Sequence, residues 1–473
     1  MHKLQKNNAF RTYKGIIVEP AIQQFFEGRI WSRTDTPFPK EKIDTYIAHR
    51  YFKIIPAITK EQRTKSLWRK TTLLCNRCHN DDPHKFIEFH CAYCEKSCHY
   101  CRHCINMGRM SCCAELLVWN GPKTKRQQQH ELLWERKFTE KQHLASQQLT
   151  ESIRQKRSHL IHAVCGAGKT EILFSAIHVA LNEGLRVCVA TPRTDVVLEL
   201  FPRFKQVFPN TVIHALYGNS PKQYGFAQLV LPTTHQLYRF QQAFDVMIVD
   251  EADAFPYTAD ESLQKAVQKA KTTEAPITYV TATPSPKLLA TVNKENWGYS
   301  FIARRYHGYP LPVPTYTSCC NYSKTFEKGK IPPKIEHWLQ QRLQQNEPFL
   351  IFFPTIELME KTVHLFQQIN ERILCVHAED PDRKEKVLEL RNEKIRGLLT
   401  TTILERGITI KNVQVAVIGA ESPIFTSSAL IQISGRVGRN VNFAAGQVVF
   451  FHHGITTEMD HARTEILRLN EVK

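Results

Sequence analysis

The sequence predicts an α/β protein: two tandem parallel-sheet domains preceded by a small four-cysteine module and an N-terminal region. Three observations carry this. After the cysteines, short apolar runs of strand length alternate with amphipathic segments, the pattern of parallel strands joined by crossover helices. The pattern breaks at "YHGYPLPVPTY", where Pro310, Pro312 and Pro314 forbid helix and central strand, and then resumes. Ahead of it, "CNRCHNDDPHKFIEFHCAYCEKSCHYCRHC" holds seven cysteines between Cys75 and Cys104, and a tetrahedral zinc site needs four.

Taken in order, residues 1–70 form an N-terminal region of mixed aromatic and basic character, as in "FFEGRIWSRTDTPFPKEKIDTYIAHRYFKI". Ile43, Tyr46, Ile47 and Tyr51 have helical spacing there, and no catalytic motif stands out. The opening MHKLQKNNAFRTYKG has no apolar h-region, so no secretory signal is expected. Residues 71–115 are the cysteine module. C-x-x-C pairs stand at Cys75/Cys78, Cys91/Cys94, Cys98/Cys101 and Cys101/Cys104. Two such pairs are a zinc-ligand pattern, but spacing alone leaves the quartet open.

A polar stretch, "GPKTKRQQQHELLWERKFTEKQ", opens the first α/β domain, residues 116–310. Its strands are read at HLIHAV, LRVCVAT, FDVMIVD and ITYVTAT, with KTEILFSAIHVALNEG as a crossover helix. The second domain, residues 311–473, has strands at FLIFFPT, ERILCVHA, GLLTTT, VQVAVIGA and QVVFFHH, with DRKEKVLELRNEK as a helix between them. Cys165, Cys188 and Cys375 fall in or beside strands and read as core thiols. Cys319 and Cys320 have no second pair nearby and are not read as ligands. His377, His452 and His453 read as strand-end residues without assigned chemistry.

Charge narrows the partners. Lys and Arg number 63 against 45 Asp and Glu, a net charge of +18, which favours a polyanion such as nucleic acid or an anionic membrane surface. No stretch reaches the roughly 18 apolar residues of a spanning helix, so membrane contact would be peripheral. Fourteen cysteines without an export signal point to reduced thiols and metal, not disulfides.

"HLIHAVCGAGKTEILF" places A-x-x-x-x-G-K-T, Ala163 to Thr170, after a strand and before a helix, the context of a phosphate-binding loop. Gly166, Ala167 and Gly168 let backbone N–H groups turn inward around phosphate. Lys169 would reach the β and γ phosphates, and Thr170 would hold Mg²⁺. "VMIVDEADAF" ends an apolar strand in Asp250, a second Mg²⁺ ligand, and Glu251, which would orient an attacking water. Together these motifs indicate NTP hydrolysis.

"VDEAD", "TATP" (Thr281–Pro284) and "QISGRVGR" (Gln432–Arg439), in this order, resemble the motifs of superfamily 2 helicases over roughly residues 138–455. The resemblance implies two RecA-like domains. It places Gln142 against adenine and Gln432 in the nucleotide site, with Arg436 and Arg439 approaching the γ-phosphate from the second domain. It also implies that "ATPR" (Ala190–Arg193), "TTHQL" (Thr233–Leu237) and "TTTILERG" (Thr400–Gly407) touch the nucleic-acid backbone. Thr402 and Thr409 stand where many relatives have Asp. Gln432 stands where DEAD-box RNA helicases have His, so the literal Asp250–Asp253 motif does not make this an RNA helicase.

"YCRHCINMGR", "WNGPK", "AVCGAGKTE", "ATPRTDVVLEL", "DVMIVDEADAFPY" and "TTTILERGITI" are similar to the ComFA family, DNA-uptake ATPases of naturally competent Gram-positive bacteria. The resemblance runs from about residue 70 to the end. It implies zinc on Cys75, Cys78, Cys101 and Cys104, which leaves Cys91, Cys94 and Cys98 as additions in the intervening loop. One zinc is expected. A second site, formed by these three with Cys112, Cys113 or a nearby His, is the alternative. The resemblance further implies a single-stranded-DNA translocase at the cytoplasmic face of the membrane, with the channel protein ComEC and the companion ComFC as partners, and admits an oligomer. Two other readings compete. A replication-restart or repair helicase resembling PriA also joins a zinc module to such a motor, but carries it inside the second motor domain. A DNA-binding docking protein with a regulatory ATP site would not need Glu251, Arg436 and Arg439.

Overall fold

The computed structural model describes residues 16–64, 69–135, 137–221, 223–406 and 409–472. The opening fifteen residues and Gly407, on which two of the expectations rest, lie outside that set. The chain divides into two compact units. The first comprises residues 1–134, 153–158 and 177–278, the second residues 135–152, 159–176 and 279–473.

Among the described residues, seven strands lie ahead of residue 120: β1 (Ile30–Ser32), β2 (Phe52–Pro56), β3 (Ile58–Thr64), β4 (Arg69–Cys75), β5 (Phe86–Cys91), β6 (Lys96–Cys101) and β7 (Glu115–Trp119). β1, β7 and β2 form an antiparallel sheet in that order, so the segment after the cysteines closes the sheet begun before them. β3–β4 and β5–β6 are antiparallel hairpins. The helices Pro20–Phe26 and Lys40–Ala48 cover the three-stranded sheet with an aromatic core of Phe25, Phe26, Tyr46, Tyr51 and Phe52. Rings meet edge-on, as Phe26 and Phe52 do at 4.7 Å, the geometry that opposed quadrupoles favour. Ile43, Tyr46 and Ile47 lie on the expected helix. Tyr51 lies beyond it and stacks on Trp119 instead.

The larger sheet of the remainder is built from β8 (His159–Ala163), β9 (Val187–Ala190), β10 (Ile213–Leu216), β11 (Leu229–Pro232), β12 (Val246–Asp250), β13 (Ile277–Thr281) and β14 (Gly298–Ile302). Their order is β10-β11-β9-β12-β13-β8-β14, and the pairs β10–β11, β11–β9, β9–β12 and β8–β14 are parallel. A second, all-parallel sheet follows from β15 (Thr315–Ser318), β16 (Phe349–Phe352), β17 (Ile373–Val376), β18 (Gly397–Thr400), β19 (Gln414–Ile418) and β20 (Val448–His452), in the order β15-β20-β19-β16-β18-β17. Position in the sheet decides burial. Every residue of the interior strands β8, β9, β11, β12, β16, β18, β19 and β20 is buried, as helices on both faces require. The edge strands β10, β14, β15 and β17 each leave side chains partly exposed. The core of the second sheet is continuous from Trp338 and Leu339 through Phe349, Ile351 and Phe353 to Phe366. Residues 307–314, with the three prolines, belong to no helix or strand.

Candidate functional site

The phosphate loop runs from the end of β8 into the helix Lys169–Asn182. Gly166 and Gly168 take φ of +81° and +77°, a region that side chains other than glycine's resist. A Cβ on Gly168 would overlap the Gln142 amide, so the loop is a cradle that only glycine leaves open. Gln142 itself is tied down. Its Nε2 donates to the Ala167 carbonyl at 2.8 Å, and its Oε1 accepts from Thr139 N–H at 2.9 Å. Thr139 Oγ1 accepts from Gln142 N–H at 3.3 Å, completing a capping box on the helix Glu140–Arg154. The residue expected at adenine therefore lies against the loop and braces it. Lys169 and Thr170, partly buried, start the helix, with their backbone at its N-terminus, where anions are favoured.

In the same unit the loop meets the helix Ser427–Ser434 and the turn after it. The Cys165 thiol donates to Gln432 Oε1 at 2.8 Å, across 267 residues. Gly435 leaves room for Cys165, since an added Cβ would come within 2.6 Å of the Cys165 Cβ. Arg436 is buried and its Nε donates to the Glu405 carbonyl at 2.9 Å. Arg439 Nε donates to the Gly435 carbonyl at 3.0 Å. The hydroxyls of Thr283, in the "TATP" motif, and Ser428 meet at 2.6 Å. Cys165 is thus buried as expected, but it has a specific partner.

Arg305 was not singled out in the sequence. It is 2% exposed, lies against Gly166, and donates one Nη to the Gly438 carbonyl at 2.6 Å. Its Nε and other Nη are buried without a hydrogen-bond partner among the described residues. Burial lowers its pKa to about 10. Unused guanidinium donors beside a phosphate loop suit an anion. Only an Arg-Arg pair following β14 marks it in the sequence, and no motif does.

Asp250 is the last residue of β12 and is buried. Its Oδ1 accepts the Glu251 N–H at 2.9 Å, and Glu251 takes φ of +54°, a costly conformation for a side chain of its kind. Elsewhere in the first unit, "ATPR" and "TTHQL" come side by side. Thr191 and Thr233 form a parallel bridge, and Thr234 N–H donates to the Thr191 carbonyl at 2.9 Å. "TTTILERG" leaves β18 through the turn Thr402–Leu404. Thr402 is half-buried and Thr409 exposed.

The cysteines sort themselves into two groups. Cys75, Cys78, Cys101 and Cys104 are buried with their sulfurs within 4.8 Å of one another. Sγ–Sγ distances are 3.9 Å for Cys75–Cys104 and 3.7 Å for Cys78–Cys101, against the roughly 3.8 Å edge of a tetrahedron with 2.3 Å zinc–sulfur bonds. Crowding among the thiols pushes Cys75 and Cys78 up and Cys104 down. The sulfur of Cys101 is the largest influence on each, and the Arg77 guanidinium also favours the Cys104 thiolate. Arg77 donates to Cys104 Sγ at 3.0 Å and to the carbonyls of Cys104, Met107 and Gly108. In the sequence Cys91, Cys94 and Cys98 read as additions in the loop between the zinc pairs, with a second site as the alternative. They converge with Cys113 in a second quartet, also within 4.8 Å, because the β5–β6 hairpin folds the loop back on itself. Cys319, buried, and Cys320, exposed, join no such group among the described residues.

The module rests on the neighbouring helix Glu261–Ala270 of its own unit. His103 meets Ser262 Oγ at 2.7 Å and the Tyr238 hydroxyl at 3.3 Å, one residue past "TTHQL". Lys269 Nζ donates to the carbonyls of Arg77 and Tyr238. A cavity of about 330 Å³ opens beside that turn, lined by Arg29, Trp31, Arg77, Tyr224, Gln236 and Arg239 among others.

Comparison with known proteins agrees with this geometry. Residues 12–118 match the competence protein ComFA N-terminal domain, residues 135–286 the type III restriction enzyme res subunit, and residues 333–441 the helicase conserved C-terminal domain. The chain is 42% identical to the competence protein ComFA of Bacillus subtilis, over 99% of this chain and 97% of that one. The chain belongs to the ComFA family. The ComFA of Streptococcus pneumoniae is 34% identical, over 88% and 93% of the two chains. The Mycobacterium smegmatis helicase Lhr, solved with single-stranded DNA and AMP-PNP, has the same fold over 71% of this chain and 50% of that one, with a TM-score of 0.54 at 16% identity. ComFA membership and the helicase domains make this a competence-related, helicase-type ATPase that uses ATP and Mg²⁺ and binds nucleic acid. No described helix is long and apolar enough to cross a membrane.

Proposed function

We propose that this ComFA protein is an ATP-driven single-stranded-DNA translocase that draws transforming DNA inward during natural competence. The observation that carries the motor half of this reading is the contact of Cys165 in the phosphate loop with Gln432 of the GR-x-GR segment. It sets the loop against the start of the segment that carries Arg436 and Arg439, which supports a reading in which nucleotide controls domain closure. The glycine cradle and the unused donors of Arg305 fit a polyphosphate. In this reading Lys169 holds the β and γ phosphates, Gln142 and Gln432 border the nucleotide, and Thr170 and Asp250 hold Mg²⁺. The ion would offset the charge of the phosphates. Glu251 orients the attacking water, and Arg436 and Arg439 stabilise charge that develops in the transition state, an effect worth orders of magnitude in rate.

The strand-binding half rests on the paired "ATPR" and "TTHQL" segments and the cationic, aromatic cavity beside them. Arg29 stands 4.6 Å over the Phe25 ring and Arg239 stands 5.1 Å from the Trp31 ring. Aromatic faces stack any base and arginines follow any backbone, which suits DNA of arbitrary sequence. Zinc on Cys75, Cys78, Cys101 and Cys104 would hold together the module that His103 and Lys269 tie to the "TTHQL" turn. The reading expects a cytoplasmic protein peripheral to the membrane, working with ComEC and ComFC.

Displacement of streptavidin from end-biotinylated oligonucleotides tests the proposal. ATP-dependent displacement from single-stranded DNA, lost in Glu251→Gln, supports a translocase. Tight strand binding without displacement or turnover would favour the docking reading, and preferential opening of forked duplexes the restart-helicase reading.

A further inference from the structure

The geometry points to a second structural zinc site, formed by Cys91, Cys94, Cys98 and Cys113. Its four sulfurs lie within 4.8 Å of one another, with Cys91–Cys113 at 3.4 Å and Cys94–Cys98 at 3.3 Å. All four are free thiols, at separations near the roughly 3.8 Å edge of a zinc tetrathiolate.

Backbone geometry is a separate argument, because the first quartet supplies an internal standard. There, Cys75-x-x-Cys78 turns so that His79 N–H donates to the Cys75 carbonyl at 2.7 Å, and His79 takes φ of +60°. Cys91-x-x-Cys94 repeats that turn. Glu95 N–H donates to the Cys91 carbonyl at 2.8 Å, and Glu95 takes φ of +52°. Side chains other than glycine's are uncommon in this region, and the same conformation stands at the same place in both turns. In both turns two thiols three residues apart are presented to the same side.

Burial at the hairpin tip supplies a third argument. Between Cys91 and Cys98 only those two cysteines are buried; Tyr93 is 84% exposed. The tip has no apolar side chain to pack, and a segment this small needs a cross-link to hold its shape. The two sites share one hairpin. Cys98 and Cys101 stand three residues apart on β6, about 10 Å along the strand, with Cys101 opposite Phe86 and Cys98 opposite Phe89. Cys113 reaches the tip because Ser111 bridges Tyr100. The second site therefore clasps the hairpin to the segment entering β7. Cys112 stays out of the quartet and accepts the His99 N–H at 3.4 Å, a distinction spacing could not make.

The test is metal content of the full-length chain, purified under reducing conditions and measured by plasma mass spectrometry. Two zinc ions per chain are expected, falling to one in Cys94→Ser and in Cys113→Ser, with two retained in Cys112→Ser and in Cys113→His, which keeps a ligand. Should the serine variants fail to fold, cobalt substitution of the wild type decides the matter: thiolate-to-cobalt charge transfer should match eight bonds per chain, four for each quartet. One zinc in the wild type, two in Cys94→Ser, charge transfer for four bonds, or a Cys91–Cys113 disulfide in protein alkylated before denaturation would overturn the assignment.

Discussion

Replacing Gly168 by alanine should damage the phosphate loop through Gln142, and the size of the effect follows from the contacts. The backbone at φ of +77° is retained at a cost of about 1–2 kcal/mol for alanine. The new Cβ would overlap Gln142 Nε2, so the amide must withdraw. Withdrawal loses the bond to the Ala167 carbonyl, about 1 kcal/mol, and the capping-box bond to Thr139 N–H, about another 1 kcal/mol. Gly168→Ala should therefore cost about 3–4 kcal/mol and Gln142→Ala alone about 2 kcal/mol. With both changes no overlap remains, and the total should again be about 3–4 kcal/mol instead of the additive 5–6, a coupling of about 2 kcal/mol. Hydrogen exchange over residues 139–154 and 163–175 reads these costs as opening free energies. Strict additivity would refute the reasoning, because it would mean that Gln142 does not occupy the space beside Gly168.

Other consequences can be checked alongside. Lys169→Ala should abolish turnover and weaken nucleotide binding, whereas Glu251→Gln should abolish turnover and still bind ATP; activity surviving in both would remove the assigned active site. Burial holds His162 on β8 down to about 4, below its unfolded value near 6.5. Its contribution is thus complete above about pH 6.5 and is lost as pH falls toward 4, on the order of 3 kcal/mol in all. A His162→Gln variant should show a flatter acid limb in denaturant titrations, and an unchanged limb would contradict the assignment. Arg239→Gln should weaken single-stranded-DNA binding and lower the slope of log affinity against log salt by about 1; an unchanged slope would take Arg239 off the strand path.

Much of this architecture was legible in the chain because its signals are local. The phosphate loop, the Asp250–Glu251 strand end and the GR-x-GR segment each fit within ten residues, and the interior strands are mostly apolar. Edge strands were harder to read. β15, "TYTS", is polar because one side faces solvent, and β10 and β14 carry His214 and Tyr299 at partly exposed positions. The N-terminal sheet escaped because β1 has three residues and its central partner β7 comes some eighty residues later. Long-range pairings were equally hidden: Cys165 with Gln432, Arg305 with Gly438, and Cys113 with the hairpin tip. No periodicity encodes such contacts. They arise only when the fold sets distant segments of chain together.

Steady-state ATPase activity with no nucleic acid, single-stranded DNA, duplex DNA and single-stranded RNA tests the central claim most directly. A translocase for incoming single strands should be stimulated strongly by single-stranded DNA and little by the other two. Equal stimulation by RNA, or the same low rate with every strand, would contradict it.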